Sequence, residues 1–450
     1  MKRVAAGVGG FLLLAGVTAP AAASDPFRLT VTVSGTDTRT LGFSSATDAV
    51  DELNTNELSH DFPGYNGTES LDVDFFFRGL GASMNFASNS GDLLFAVPDA
   101  DIDETFVGSG ATTTEQRKDA LHQLREFLKK DKHALKRLLT ELARRSPVDP
   151  LAGNPSSLMS VRMRSDFQNG FTHKVSQVWA CGTSAFNDDD RGAFVLAAAD
   201  GPVTDVFADA MMRADQMRGQ NEIGMGLAAQ EVRAHAGGED LRSTYLEAPL
   251  SYTWNFDGHP GNKLKLELPL SYTDVGGGKA YSAGLGAAYT YPVSEAWSLT
   301  PAASVGATGS EDLVAAGGVG AVSLTSAYTW RIGSFGLSLG DSLGRYQRLK
   351  IKIGGVEAQA DVKNTAISNG LMLTGPGALI AHNLVMEYSA TDTRLFGDTV
   401  YSQRYDEYGV ALGYIGTRYG VIDHYYKLGL NYVTGEHGLR AGRLTLSARF

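Results

Sequence analysis

The sequence predicts a mainly β protein whose second half, residues 222–450, is an antiparallel transmembrane β-barrel of about 12 strands. A small α+β domain with a long amphipathic helix precedes it. Three observations carry this prediction. Apolar and polar residues alternate through the second half, tyrosine and tryptophan gather near the strand ends, and the chain opens on an export leader.

The alternation is clearest from Leu264 to Tyr272. Leu264, Leu266, Leu268, Leu270 and Tyr272 share one face, and Lys265, Glu267, Pro269 and Ser271 share the other, because successive side chains of a strand point to opposite sides. The last strand repeats it, with Leu444, Leu446, Ala448 and Phe450 against Arg443, Thr445, Ser447 and Arg449. Candidate strands begin near Glu222, Ser243, Lys263, Lys279, Ala296, Val319, Ser334, Glu357, Leu379, Tyr401, Asp423 and Leu439. The eighth has the weakest pattern, with Asp361, Lys363 and Asn364 near its middle. An even count returns both barrel ends to one side of the membrane. A water-soluble β-sandwich would alternate too. The membrane is favoured because alternation occurs together with a leader and with girdle-type aromatics such as Tyr252, Trp254, Tyr289, Tyr291, Tyr328 and Trp330.

Residues 1–23 form the leader. Lys2 and Arg3 precede an apolar core from Val4 to Val17, and Ala21–Ala23 supply small residues for cleavage between Ala23 and Ser24. That core is too short to span a bilayer about 30 Å thick. Residues 24–200 are assigned to the α+β domain. Phe27–Val33, Leu71–Asn85 and Asp92–Val97 are predicted strands, and Ser44–Leu53 a short helix capped by Ser44 or Ser45. A helical segment covers 115–145. Thr112 and Glu115 fit a capping box, Leu121, Leu124, Leu128, Leu135, Leu138 and Leu142 form an apolar stripe, and Lys129–Lys132 allow a turn between two helices. The helix is expected to pack on its own domain with its basic face solvated, or to touch anionic lipid or peptidoglycan with that face. Ser146–Ser160 is mostly loop, and Lys174–Ala180 and Ala193–Ala199 are strands or buried segments. Residues 201–221 form a helical linker that enters the barrel as a plug or packs beneath it.

Candidate chemistry is sparse. Asp99, Asp101, Asp103 and Glu104 have oxygen-rich spacing but lack the glycine and distal glutamate of a calcium loop, which favours a solvated acidic loop and no metal. The sequence carries no catalytic motif, so no catalytic residue and no cofactor are assigned. A net charge of −11 argues against nucleic acid as a partner. Lys265, Glu267, Lys363, Lys427 and Arg443 are expected in the lumen, where they set the character of a pore or pair with one another in a plugged barrel.

The second half resembles bacterial outer-membrane barrels, and in size and strand number autotransporter translocator domains. The resemblance rests on the strand train and on the terminal motif Leu446, Ala448 and Phe450. It implies that these residues are a barrel-assembly signal, that the assembly machinery and outer-membrane lipid are partners, and that the chain resides in the outer membrane of a Gram-negative bacterium. The expected role is to anchor or present the N-terminal domain, with a surface ligand or peptidoglycan as a further partner. The alternative is a structural or pore-forming protein whose N-terminal domain is periplasmic.

Overall fold

The computed structural model describes residues 25–183 and 221–449, apart from 257–258, 260, 311, 314, 333–334, 350, 354–355, 359–361, 377–383 and 419–420. The leader with its Ala23–Ser24 junction, Ala193–Ala199, the helix expected before the barrel and Phe450 lie outside the described residues.

The N-terminal region is a six-stranded antiparallel sheet in the order β2-β1-β3-β4-β5-β6. Its strands are β1 (Phe27–Val33), β2 (Asp37–Phe43), β3 (Leu71–Phe77), β4 (Leu80–Phe86), β5 (Asp92–Val97) and β6 (Ile102–Val107). The expected strand from Leu71 to Asn85 is two strands, because Arg78 and Gly79 both take positive φ and turn the chain. Helices α1 (Ala46–Asp51) and α2 (Thr55–Asp61) follow β2. Ser45 caps α1, accepting the Asp48 amide at 3.2 Å.

The basic segment forms α3 (Thr113–Lys130) and α4 (Lys132–Arg145). Thr112 and Glu115 make the capping box of α3. Asp131 breaks the helix because its carboxylate accepts the His133 and Ala134 amides and starts α4. The leucine stripe packs on the sheet, with Leu121, Leu124, Leu138 and Leu142 buried. Much of the basic face meets the domain's own acids. Arg125 pairs with Asp51 at 2.5 Å and Arg145 with Asp99 at 2.8 Å, while Arg137 lies 3.8 Å from Asp101. The acidic run is thus a partner of α4, and Asp103 and Glu104 belong to β6 rather than to a loop.

The barrel closes from twelve antiparallel strands. They are β7 (Glu222–Ala236), β8 (Glu239–Asn255), β9 (Lys263–Val275), β10 (Gly278–Pro292), β11 (Trp297–Ser310), β12 (Ala315–Ile332) and β13 (Phe335–Leu349), then, after the small hairpin of β14 (Ile351–Ile353) and β15 (Val356–Ala358), β16 (Lys363–Pro376), β17 (Leu384–Gly397), β18 (Arg404–Arg418), β19 (Val421–Gly435) and β20 (Arg440–Arg449). β20 pairs with β7, with Leu446 opposite Leu227 and Ala448 opposite Met225. The eighth barrel strand therefore starts at Lys363, not near Glu357, which belongs to the hairpin.

β7 begins and β20 finishes at one rim. The N-terminal sheet is docked on the other, hereafter the sheet end. Arg28 reaches Glu239 at 2.6 Å there, and the Ala46 amide donates to the Asp312 carbonyl at 3.0 Å. Inward positions near that rim are small or apolar, including Ala234, Ala236, Val275, Val319, Leu395 and Val433, and they form one buried core with the sheet and its helices. The loop 146–157 is wedged between the two bodies and is buried throughout. Within it Asp149 pairs with fully buried Arg78 at 3.4 Å. Burial raises the Asp149 pKa and lowers that of Arg78, each opposed by the charge of the other.

Candidate functional site: the helix-filled lumen

From the buried loop the chain turns into α5 (Leu158–Thr183), which enters the barrel at the sheet end and descends through its lumen. At 1.5 Å per residue such a helix is about 39 Å long. Lys174–Ala180 is therefore helical and is not a strand. Two kinds of contact hold α5. On the β11–β16 side Phe167 and Phe171, with ring centroids 4.9 Å apart, cluster with Ala327 and Met372. The rings fit because the facing wall positions are glycines. A β-carbon on Gly370 would lie 2.6 Å from the Phe167 ring, and one on Gly340 would strike the Phe171 ring.

The remaining contacts are polar. Glu267 on β9 accepts from the Ser165 hydroxyl at 2.5 Å and the Asn169 amide at 3.2 Å, and it lies 3.6 Å from the Arg162 guanidinium. Lys265 donates to the Asn169 carbonyl oxygen at 2.5 Å and to Glu267 at 3.4 Å. Arg164 reaches Glu247 at 3.4 Å, and Tyr346 donates to the Asp166 carboxyl group at 3.0 Å. The wall has its own pairs, Lys427 with Glu387 at 3.0 Å and Arg443 with Glu407. Beside the helix a cavity of about 330 Å³ remains, lined by Arg164 and Asn169 of α5 and by Glu247, Lys265, Glu387, Tyr425, Lys427 and Arg443 of the wall. Among the described residues no three His, Cys, Asp or Glu side chains are grouped to hold a metal ion.

Four of the five residues expected in the lumen are there. Lys363 is not. It shares the outward face of β16 with Ile367, Leu371 and Leu373, and Asn364 beside it points inward. Parity with those residues is the signal that locates it. Leu446 and Ala448 lie on the outward face of β20, along the closing seam. Sequence reasoning missed α5 itself.

The outer wall is apolar. Leu266, Leu268 and Leu270 are 41%, 38% and 43% exposed, whereas Glu267 between them is 7% exposed. Outward aromatics form two rims. Tyr252, Trp254, Tyr289, Tyr291, Tyr328 and Trp330 lie towards the far end, and Tyr281, Phe396, Tyr408 and Tyr432 lie towards the sheet end. An apolar belt between aromatic girdles around a polar interior is the pattern that a bilayer imposes. The second half is an outer-membrane type β-barrel. Among the described residues no helix is long and apolar enough to cross a membrane.

No family model matches the chain, and no curated protein matches it. Among solved structures it is similar to the translocator domain of the autotransporter NalP from Neisseria meningitidis, at 10% identity over 54% of this chain and 95% of that one, with a TM-score of 0.41. It is also similar to the β domain of the Bordetella autotransporter BrkA, at 14% identity over 51% and 98%, TM-score 0.38. A third is the COG4313 outer membrane channel from Pseudomonas putida F1, at 13% identity over 51% and 94%, TM-score 0.36.

Proposed function

We propose that the barrel is an anchor that presents residues 25–157 at the outer face of the outer membrane, with α5 as the tether through its lumen. The observation that carries this reading is the path of α5. It leads from the docked sheet at one mouth towards the rim where β7 begins and β20 finishes. During insertion only hairpins need to cross the bilayer, so the ends of the strand train stay on the side from which the chain arrives. An exported chain arrives from the periplasm, and the sheet end then faces outward. The apolar seal between sheet and barrel suits a presenting role better than an open conduit.

The test is an epitope tag inserted at the β1–β2 turn, which carries positive φ at Ser34 and Gly35 and is exposed. Intact cells are probed with antibody and with protease. Labelling of intact cells is expected. Labelling only after the outer membrane is permeabilised would reject the outward orientation and favour a periplasmic domain. The cavity beside α5 keeps a pore as the second reading, and steady conductance of the purified protein in planar bilayers would favour it.

On the anchor reading, Leu446, Ala448 and Phe450 serve assembly. Deleting Phe450 should lower the yield of the heat-modifiable folded band severalfold while export continues. An unchanged folded yield would remove the signal role.

A further inference from the structure

The lipid-facing wall has a break in its belt. Ser326 on β12, Asp341 on β13 and Asn369 on β16 are direct cross-strand neighbours, Ser326 opposite Asp341 and Asp341 opposite Asn369. All three lie on the outward face, and Asp341 and Asn369 are exposed. Along their own strands Leu339, Leu343, Ile367 and Leu371 flank the pair. Asp341 is six residues up β13 from Phe335. At about 3.3 Å per residue and a tilt of about 40°, that is ~15 Å along the barrel axis, near the middle of a belt about 25 Å tall.

Directly opposite Asn369 on β17 stands Asp392, whose charge is met within the chain. Asp392 accepts from Arg394 at 3.0 Å and from Arg404 at 3.1 Å. Ser326 accepts the Trp297 indole N–H at 2.9 Å. Asp341 and Asn369 differ, because among the described residues neither side chain makes a hydrogen bond. A carboxyl group at mid-depth in hydrocarbon without a partner is costly, and ionisable residues there mark contacts with protein.

We propose that β13 and β16 form a two-fold interface with a second copy of this chain, in which Asp341 of each copy accepts from Asn369 of the other. An axis along the membrane normal preserves depth. Asp341 and Asn369 are register partners on adjacent strands and at that tilt differ in depth by only ~3 Å, within reach of their side chains, so an axis between them brings each acceptor to the opposite amide donor. The patch is self-complementary, as an isologous contact requires. The flanking leucines and Ile367 then pack on their counterparts.

The experiment uses the full chain in reconstituted membranes, with its single cysteine, Cys181, replaced by serine. Leu343→Cys lies beside the proposed axis, and Leu227→Cys lies on β7, six strands away around the barrel. With a short bis-maleimide, Leu343→Cys is expected to give a dimer and Leu227→Cys none. The double variant Asp341→Leu, Asn369→Leu should raise the dimer dissociation constant about tenfold, the loss expected for two hydrogen bonds between spanning segments in lipid. Its heat-modifiable band should persist, since apolar residues suit that face. A monomeric parent protein, equal cross-linking at both positions, a dimer unaffected by the double variant, or cross-linking solely to a different protein would each overturn the proposal.

Discussion

Replacing Glu267 by alanine will lower the stability of the full chain by about 3 kcal/mol, the scale for removing one partner of a buried charged pair. The carboxylate joins β9 to α5 through Ser165, Asn169 and Arg162 at once. Without it the buried Arg162 guanidinium has lost its facing acid. From the sequence alone, Glu267→Arg would rank as a mild change at a hydrated inward position. The contacts with α5 reverse that ranking, because an arginine there meets Arg162 and Lys265. Glu267→Gln keeps both hydrogen bonds in reach and should recover part of the loss. Urea unfolding in lipid vesicles reads all three variants. An alanine variant within about 0.5 kcal/mol of the parent would mean that Glu267 does not hold the helix.

Leu268→Arg is expected to cost about 2–4 kcal/mol in the same assay, the range for an arginine on the lipid face near the midplane. Leu268 stands between the aromatic rims, and its side chain points away from the lumen. The new guanidinium would have neither water nor a carboxylate within reach. Leu264→Arg, nearer the far rim, should cost less because depth sets the penalty. Equal costs at the two positions would place the belt elsewhere on β9.

The barrel was legible in the sequence because lipid on one side and a polar lumen on the other impose period-two alternation, strand after strand. Leu264–Tyr272 and Leu444–Phe450 carry it with few exceptions. The exceptions have physical causes. Towards the sheet end the wall no longer faces a polar lumen but an apolar domain core, so Ala234, Val319 and Val433 turn inward. The small hairpin of β14 and β15 obscured where the eighth barrel strand starts, and with it the face of Lys363.

The lumen helix was illegible for the opposite reason. Helix prediction relies on an apolar stripe against a polar remainder. Around α5, Arg162, Ser165 and Asn169 meet charged wall residues, while Phe167 and Phe171 occupy glycine hollows opposite. With polar and aromatic partners on different sides, little amphipathic pattern remains. The glycines at 340 and 370 were visible, but their purpose depends on strands that come together only in the closed barrel.

The path of α5 also dictates an order of events. A helix encircled by twelve strands cannot be slipped in sideways once β20 has zipped to β7. The segment must already lie inside the half-built wall when that seam forms, or be drawn lengthwise through the ring afterwards. The folded sheet, wider than the lumen it caps, cannot follow the second route intact. Seam closure and the folding of the sheet are therefore coupled in time, and a sheet that folds too early on the wrong side would lock the strands open.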